Sequence, residues 1–110
     1  MALALNVFQT VTANITTANT ICYTAPASYT GIVLMAQITN ITNSTGNVTV
    51  QYGNGVANTR LLNNFAIAGN DSTSALTGKL VIETGHTLIV SASANNTFQL
   101  TASILESANE

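Results

Sequence analysis

Between residues 97 and 105 every second residue is apolar: Phe98, Leu100, Ala102 and Ile104 alternate with Gln99, Thr101 and Ser103. A period of two belongs to a strand with one face on a core and the other in water, and it does not fit the 3.6-residue period of an amphipathic helix. The pattern recurs over residues 5–16, where Val7, Gln9, Val11, Ala13 and Ile15 alternate with Phe8, Thr10, Thr12 and Asn14, and again where Val48, Val50 and Tyr52 flank Thr49 and Gln51. No stretch shows helical periodicity, so the chain is confined to an all-β fold.

Residues 23–42 hold the sole proline, Pro26, and the least interrupted apolar run, residues 32–36. They predict a turn at 29–31 feeding a central strand buried on both faces. Ile32, Leu34, Ala36 and Ile38 line one side of it, and Val33, Met35, Gln37, Thr39 and Ile41 the other. A short strand is expected at 20–24, ending before Pro26, which cannot donate to a ladder. The turn Asn43-Ser44-Thr45-Gly46-Asn47 predicts a hairpin from the central strand into 48–52, and Asn95-Asn96 predicts another joining 86–94 to 97–105. Residues 52–59 read as a loop, 60–67 as a strand with Leu62 and Phe65 partly buried, and 68–71 as a turn. Residues 74–83 read as a strand broken at Gly78, and 106–110 as a polar tail. About eight strands at 8–12-residue spacing predict a single antiparallel β-sandwich over residues 1–110, either jelly-roll-like or immunoglobulin-like.

Only 5% of the residues are charged, against roughly 25% in typical soluble proteins. Two basic residues, Arg60 and Lys79, and a net charge of −2 exclude the clustered cations by which proteins neutralise phosphates, so nucleic acid is not an expected partner. Cys22 is the one cysteine; it can form no intrachain disulfide and reads as a small core residue. His86 has no second histidine, cysteine or nearby carboxylate to complete a metal site. Asp71, Glu83, Glu106 and Glu110 sit beside turns or at the terminus, where carboxylates are solvated. A calcium site at Asn70-Asp71 lacks the several oxygen ligands that ion needs. Gly53-Asn54-Gly55 has no third glycine and no following helix, so it is no nucleotide fingerprint. The six Asn-x-Ser/Thr triplets follow from composition. A sugar-binding face is poorly served, with no tryptophan and with Tyr23, Tyr29 and Tyr52 spread along the chain. No catalytic, cofactor-binding or metal residues are assigned, and no cofactor is expected.

The N-terminal residues lack the basic region and apolar length of a signal peptide, and no later run reaches the roughly 20 apolar residues of a spanning helix. Folding in a cytosol, with no membrane partner, is the expectation. Two basic residues and one proline must also guard the edges of some eight strands, where soluble monomers commonly place lysine, proline or inward charges. A chain so thinly guarded is expected to pack against copies of itself or a larger partner.

Three stretches, TAPASYTGIVLMAQITN, TRLLNNFAIAGNDSTSALTGKLVIETG and HTLIVSASANNTFQLTASILE, resemble small β-sandwich virion proteins of tailed phages, especially those infecting cyanobacteria and other marine bacteria. The resemblance implies a non-enzymatic structural protein of the virion, made in the host cytoplasm. Its most direct expectation is a capsid decoration (cement) protein, bound as a homo-oligomer, a trimer, to the major capsid protein or another virion protein. A neck, tail or fibre component is the alternative within assembly. A carbohydrate- or receptor-binding module, with contacts on the 52–60 loop, is the alternative outside it.

Overall fold

In the computed structural model, which describes residues 6–76 and 78–109, nine strands form two antiparallel sheets. The strands are β1 (Asn6–Ile15), β2 (Thr20–Thr24), β3 (Tyr29–Asn40), β4 (Gly46–Gly53), β5 (Asn58–Ile67), β6 (Ser72–Ser74), β7 (Leu80–Ile82), β8 (Thr87–Ala92) and β9 (Phe98–Ala108). The expected start of the first strand at Leu5, Thr77 within the expected 74–83 strand, and Glu110 of the tail lie outside the described residues.

One sheet has the order β1-β9-β3, with β6 and β7 sharing the far edge of β3; the other has the order β2-β8-β4-β5. Pairing therefore runs inward from the two ends of the chain: β1 with β9, β2 with β8, β3 with β6 and β7, and β4 with β5. This is one long antiparallel ribbon folded at the β4–β5 tip and rolled into two facing sheets. The topology is that of a jelly roll, and among the described residues of the strand expected at 74–83 only Ser74, which ends β6, and Leu80–Ile82, which form β7, are in strands. The ribbon's tip is a tight hairpin. Asn54 Oδ1 accepts from the backbone N–H of Val56 at 2.9 Å and of Ala57 at 2.8 Å, and Gly55 supplies the positive φ of 89°.

The core lies between the sheets. Phe98, Leu100, Ala102 and Ile104 of β9 are each 1% exposed and face Val48, Val50, Leu88 and Val90 across it, as the period-two pattern requires. That inward row does not stop at Ile104. Glu106, expected in a solvated tail, is the next inward residue of β9 and is 4% exposed.

Several expectations are corrected. The central position of β3 holds, since it pairs with β9 on one side and with β6 and β7 on the other, but it is not buried on both faces. A β-bulge between Val33 and Met35 shifts the alternation by one residue. Val33, Ala36 and Ile38 are fully buried, while Leu34 and Met35 turn outward at 37% and 39% exposure. Leu34 is therefore not core. Residues 29–31 belong to the strand, and Ser28, at φ 69°, makes the turn before it. The hairpins expected at 43–47 and at Asn95-Asn96 are instead crossings between sheets: β3 and β4 pair with different partners, and so do β8 and β9. Asn96 does take the positive φ expected of it, at 60°. A turn sequence specifies a reversal of direction, but whether the next strand pairs with the last depends on the whole roll.

Ile38→Ala should lower unfolding free energy by about 2–5 kcal/mol through lost burial and a residual cavity. Leu34→Ala should cost about 1 kcal/mol or less, as at most half-exposed positions. Urea titrations of the two variants check the bulge: equal losses would mean that Leu34 is packed inside.

Candidate assembly surface

Among the described residues no group of three or more histidine, cysteine, aspartate or glutamate side chains is placed to hold a metal ion. No described helix is long and apolar enough to cross a membrane. The residues that carry chemistry occupy three separate places.

The first is a polar lock inside one end of the sandwich. Glu106 is opposite Gly31 in register, and because glycine has no side chain the ring of Tyr23 from the other sheet lies over that position. A Cβ there would stand 2.7 Å from Tyr23 Cε2 and Oη. The Tyr23 hydroxyl donates to Glu106 Oε2 at 2.6 Å, and Gln9 Nε2 donates to Oε1 at 2.6 Å. Burial first, and the hydrogen bond and charge of Glu106 second, push the Tyr23 pKa well above the usual tyrosine range. The group is satisfied and enclosed, and it joins β2 of one sheet to β1 and β9 of the other.

The second is the rim beside it. Tyr52 and His86 meet edge to face, ring centroids 5.5 Å apart at 88°. The tyrosine hydroxyl is 2.7 Å from His86 Nδ1 and accepts the Glu83 N–H at 3.2 Å. His86 is thus at the rim, as expected, and engaged in structure. Of the loop expected at 52–60 only residues 54–57 lie outside strands, with Tyr52 in β4 and 58–60 in β5, and its tip presents Val56 at 95% exposure. Cys22 is half-buried rather than core, and burial pushes its thiol up to about 11, so the nucleophilic thiolate is scarce at neutral pH.

The third is the outer face of the five-stranded sheet. Register fixes which side chains share it: Phe8 is opposite Leu105, Leu105 opposite Ile32, and Ile32 opposite Val81. An apolar row therefore crosses the sheet from β1 to β7, with Phe8 74% and Val81 53% exposed. The β-bulge adds Leu34 and Met35 beside it. Phe8, Gln9, Thr10, Leu34, Ser103 and Ile104 line a surface depression of about 320 Å³. The other outward positions on this face, such as Thr12, Gln37, Thr39, Ser72, Ser74, Gln99, Thr101 and Ser107, are neutral and polar. Monomeric soluble proteins seldom leave a contiguous apolar band of this kind uncovered. The row was missed in the sequence because its members come from four strands, and only cross-strand register aligns them.

No protein-family model and no curated protein sequence matches this chain. In shape it is similar to a chain from Bacillus endospore appendages, which form a family of disulfide-linked pili. The TM-score is 0.59 and the identity 13%, over 96% of this chain and 88% of that one. It is also similar to a chain in the acid-stable capsid of the Helicobacter pylori bacteriophage KHP30, with a TM-score of 0.55 and 7% identity over 97% of this chain and 90% of that one. At these identities the likeness is one of fold: the rolled two-sheet sandwich is shared with subunits of two assemblies.

Tyr23→Phe leaves Glu106 with one donor fewer and should cost about 1–3 kcal/mol. Gly31→Ala, which drives a methyl group into the Tyr23 ring, should cost at least as much by overpacking. The pH dependence follows from the raised Tyr23 pKa. Above about pH 10 the unfolded chain loses the tyrosine proton while the folded chain keeps it, so stability falls as pH rises. Chemical denaturation between pH 8 and 11 should show this fall in wild type and a smaller one in Tyr23→Phe. Native Cys22 at pH 8 should react with a disulfide reagent roughly a hundredfold more slowly than the unfolded chain, followed by thiol release.

Proposed function

We propose that this chain is a non-enzymatic structural protein of a phage virion, a capsid decoration protein seated on the capsid lattice by the outer face of its five-stranded sheet. The observation that carries the reading is the apolar row Phe8, Leu105, Ile32 and Val81 on a face whose other outward strand residues are neutral, with Lys79 at its β6–β7 margin the one cation beside it among the described residues. Such a face offers a charged ligand little to pair with and gains from burial against another largely neutral protein surface. The resemblance of three stretches to phage virion proteins supports the same reading, and so does a fold shared with a phage capsid chain and a pilus chain. Neither fold neighbour points to a cyanobacterial or marine host, so the reading names none. The trimer that the resemblance implies has no support beyond it and is not part of this reading.

Gradient-purified particles should contain the protein in hundreds of copies by quantitative mass spectrometry. A few tens would move it to neck, tail or fibre, and absence from particles would sink the reading. Val81→Asp, on an exposed position, should leave the melting temperature within about 2 °C of wild type and abolish binding to particles that lack the protein. Undiminished binding would take the lattice contact off this face.

A further inference from the structure

The four sheet edges are not alike. The edge formed by β6 and β7 consists of two three-residue strands with Lys79 between them. β2 has five residues, a register shift between Ile21 and Tyr23, and Pro26 just beyond its end. β5 is ten residues long, but its pairing with β4 shifts register twice, Asn64 takes a positive φ of 50°, and it carries Arg60. Short strands, bulges, charge and proline are the devices that keep an edge from recruiting another strand. β1 has none of them. Its ten residues pair with β9 one for one without a shift, they include no charge and no proline, and among the described residues no strand lies on their other side.

We propose that this free edge binds a second copy of the chain, the two β1 strands pairing antiparallel across a two-fold axis so that two five-stranded sheets become one continuous sheet. The proposal rests on the reading of this protein as an assembling structural subunit and names the contact between copies. Charge argues for a second copy. A two-fold axis sets every residue of β1 against β1 itself, so any charge there would meet its own sign, and β1 is neutral throughout. Closure argues for it as well. β1 is the only described edge strand left long, regular and unguarded, and pairing it with itself removes that edge from both copies without leaving one to propagate into a fibre.

The pleat also fixes the register. Outward side chains are those of Asn6, Phe8, Thr10, Thr12 and Asn14, alternating with inward Val7, Gln9, Val11, Ala13 and Ile15. Directly opposite residues in an antiparallel pair share a face. Aligning Asn6 with Ile15 end to end would set outward residues against inward ones. A slip of one residue either way restores the match and centres the axis on Thr10 or on Val11. Thr10 then faces Thr10 of the other copy in one case and Thr12 in the other, so both registers put these exposed threonines against each other.

The test uses the full chain and two double variants, Thr10→Lys with Thr12→Lys, and Thr10→Glu with Thr12→Glu. All four changes fall on exposed positions, and circular dichroism melts establish that each variant is folded. Size-exclusion chromatography with light scattering, at about 100 μM where a micromolar contact is filled, should give wild type twice the mass of the 11.4 kDa chain. Each variant alone should be monomeric, and an equimolar mixture should regain the dimer mass as lysines face glutamates. A wild-type monomer or trimer, a dimer that survives both substitutions, or a mixture that stays monomeric overturns the pairing. None of these results touches the virion reading, which fails only if the protein is missing from purified particles.

Discussion

Everything in this molecule is arranged around β9, the last strand in the sequence. It pairs along its full length with β1 on one side and with β3 on the other, and its inward side chains form the floor of the core. Apolar burial at about 25 cal/mol per Å² is the main favourable term in such a fold, and here it depends on one strand keeping strict alternation from Phe98 to Glu106. The β1–β9 contact joins the two ends of the chain, so the roll is closed by a pairing of long sequence separation. A fold of this kind is built from long-range pairings, which form slowly because loop closure must come first.

Apolar contacts are non-directional, and two sheets held by them alone could slide. Two buried polar groups, at opposite ends of β3 and β9, supply direction. At one end Glu106 takes hydrogen bonds from Tyr23 and Gln9. At the other, Asn40, 1% exposed, donates from Nδ2 to the carbonyls of Ser44 and Ile67 at 2.9 Å each, and accepts at Oδ1 from the N–H and hydroxyl of Thr42. Among the described residues no buried side-chain nitrogen or oxygen lacks a partner. Satisfied polar networks of this sort fix geometry, because any shift of one sheet against the other leaves a desolvated group unpaired.

What lies outside the core is a surface on which charge is almost absent. Among the described residues the few ionisable groups are placed in loops, on β5, at the rim or in the interior, which leaves the edge of β1 neutral and only Lys79 at the margin of the outer face of the five-stranded sheet. Neutral apolar and hydroxyl-rich surfaces associate through burial and main-chain hydrogen bonds rather than by long-range steering. Phe8 stands where the two meet, on the exposed face of the exposed edge, and so would belong to both of the proposed contacts.

The sequence alone determined the class of fold, because strand periodicity is local: an alternating run shows its buried face wherever it is placed. β2 and the inward residues of β9 were legible for that reason, and so was the break at Gly78, whereas β5 has no clean alternation and its Phe65, expected to be partly buried, is exposed. The tertiary structure decided what depends on pairing. The bulge that turns Leu34 outward is a mismatch in register between β3 and β9, invisible in β3 by itself. The supposed hairpins at 43–47 and 95–96 became crossings because each following strand found better partners across the roll. Glu106 looked like a tail residue because nothing in its neighbours reveals that Tyr23, 83 positions away, waits above Gly31 to bind it. The apolar row is of the same kind, four residues distant in sequence whose alignment exists only once β1, β9, β3 and β7 lie side by side.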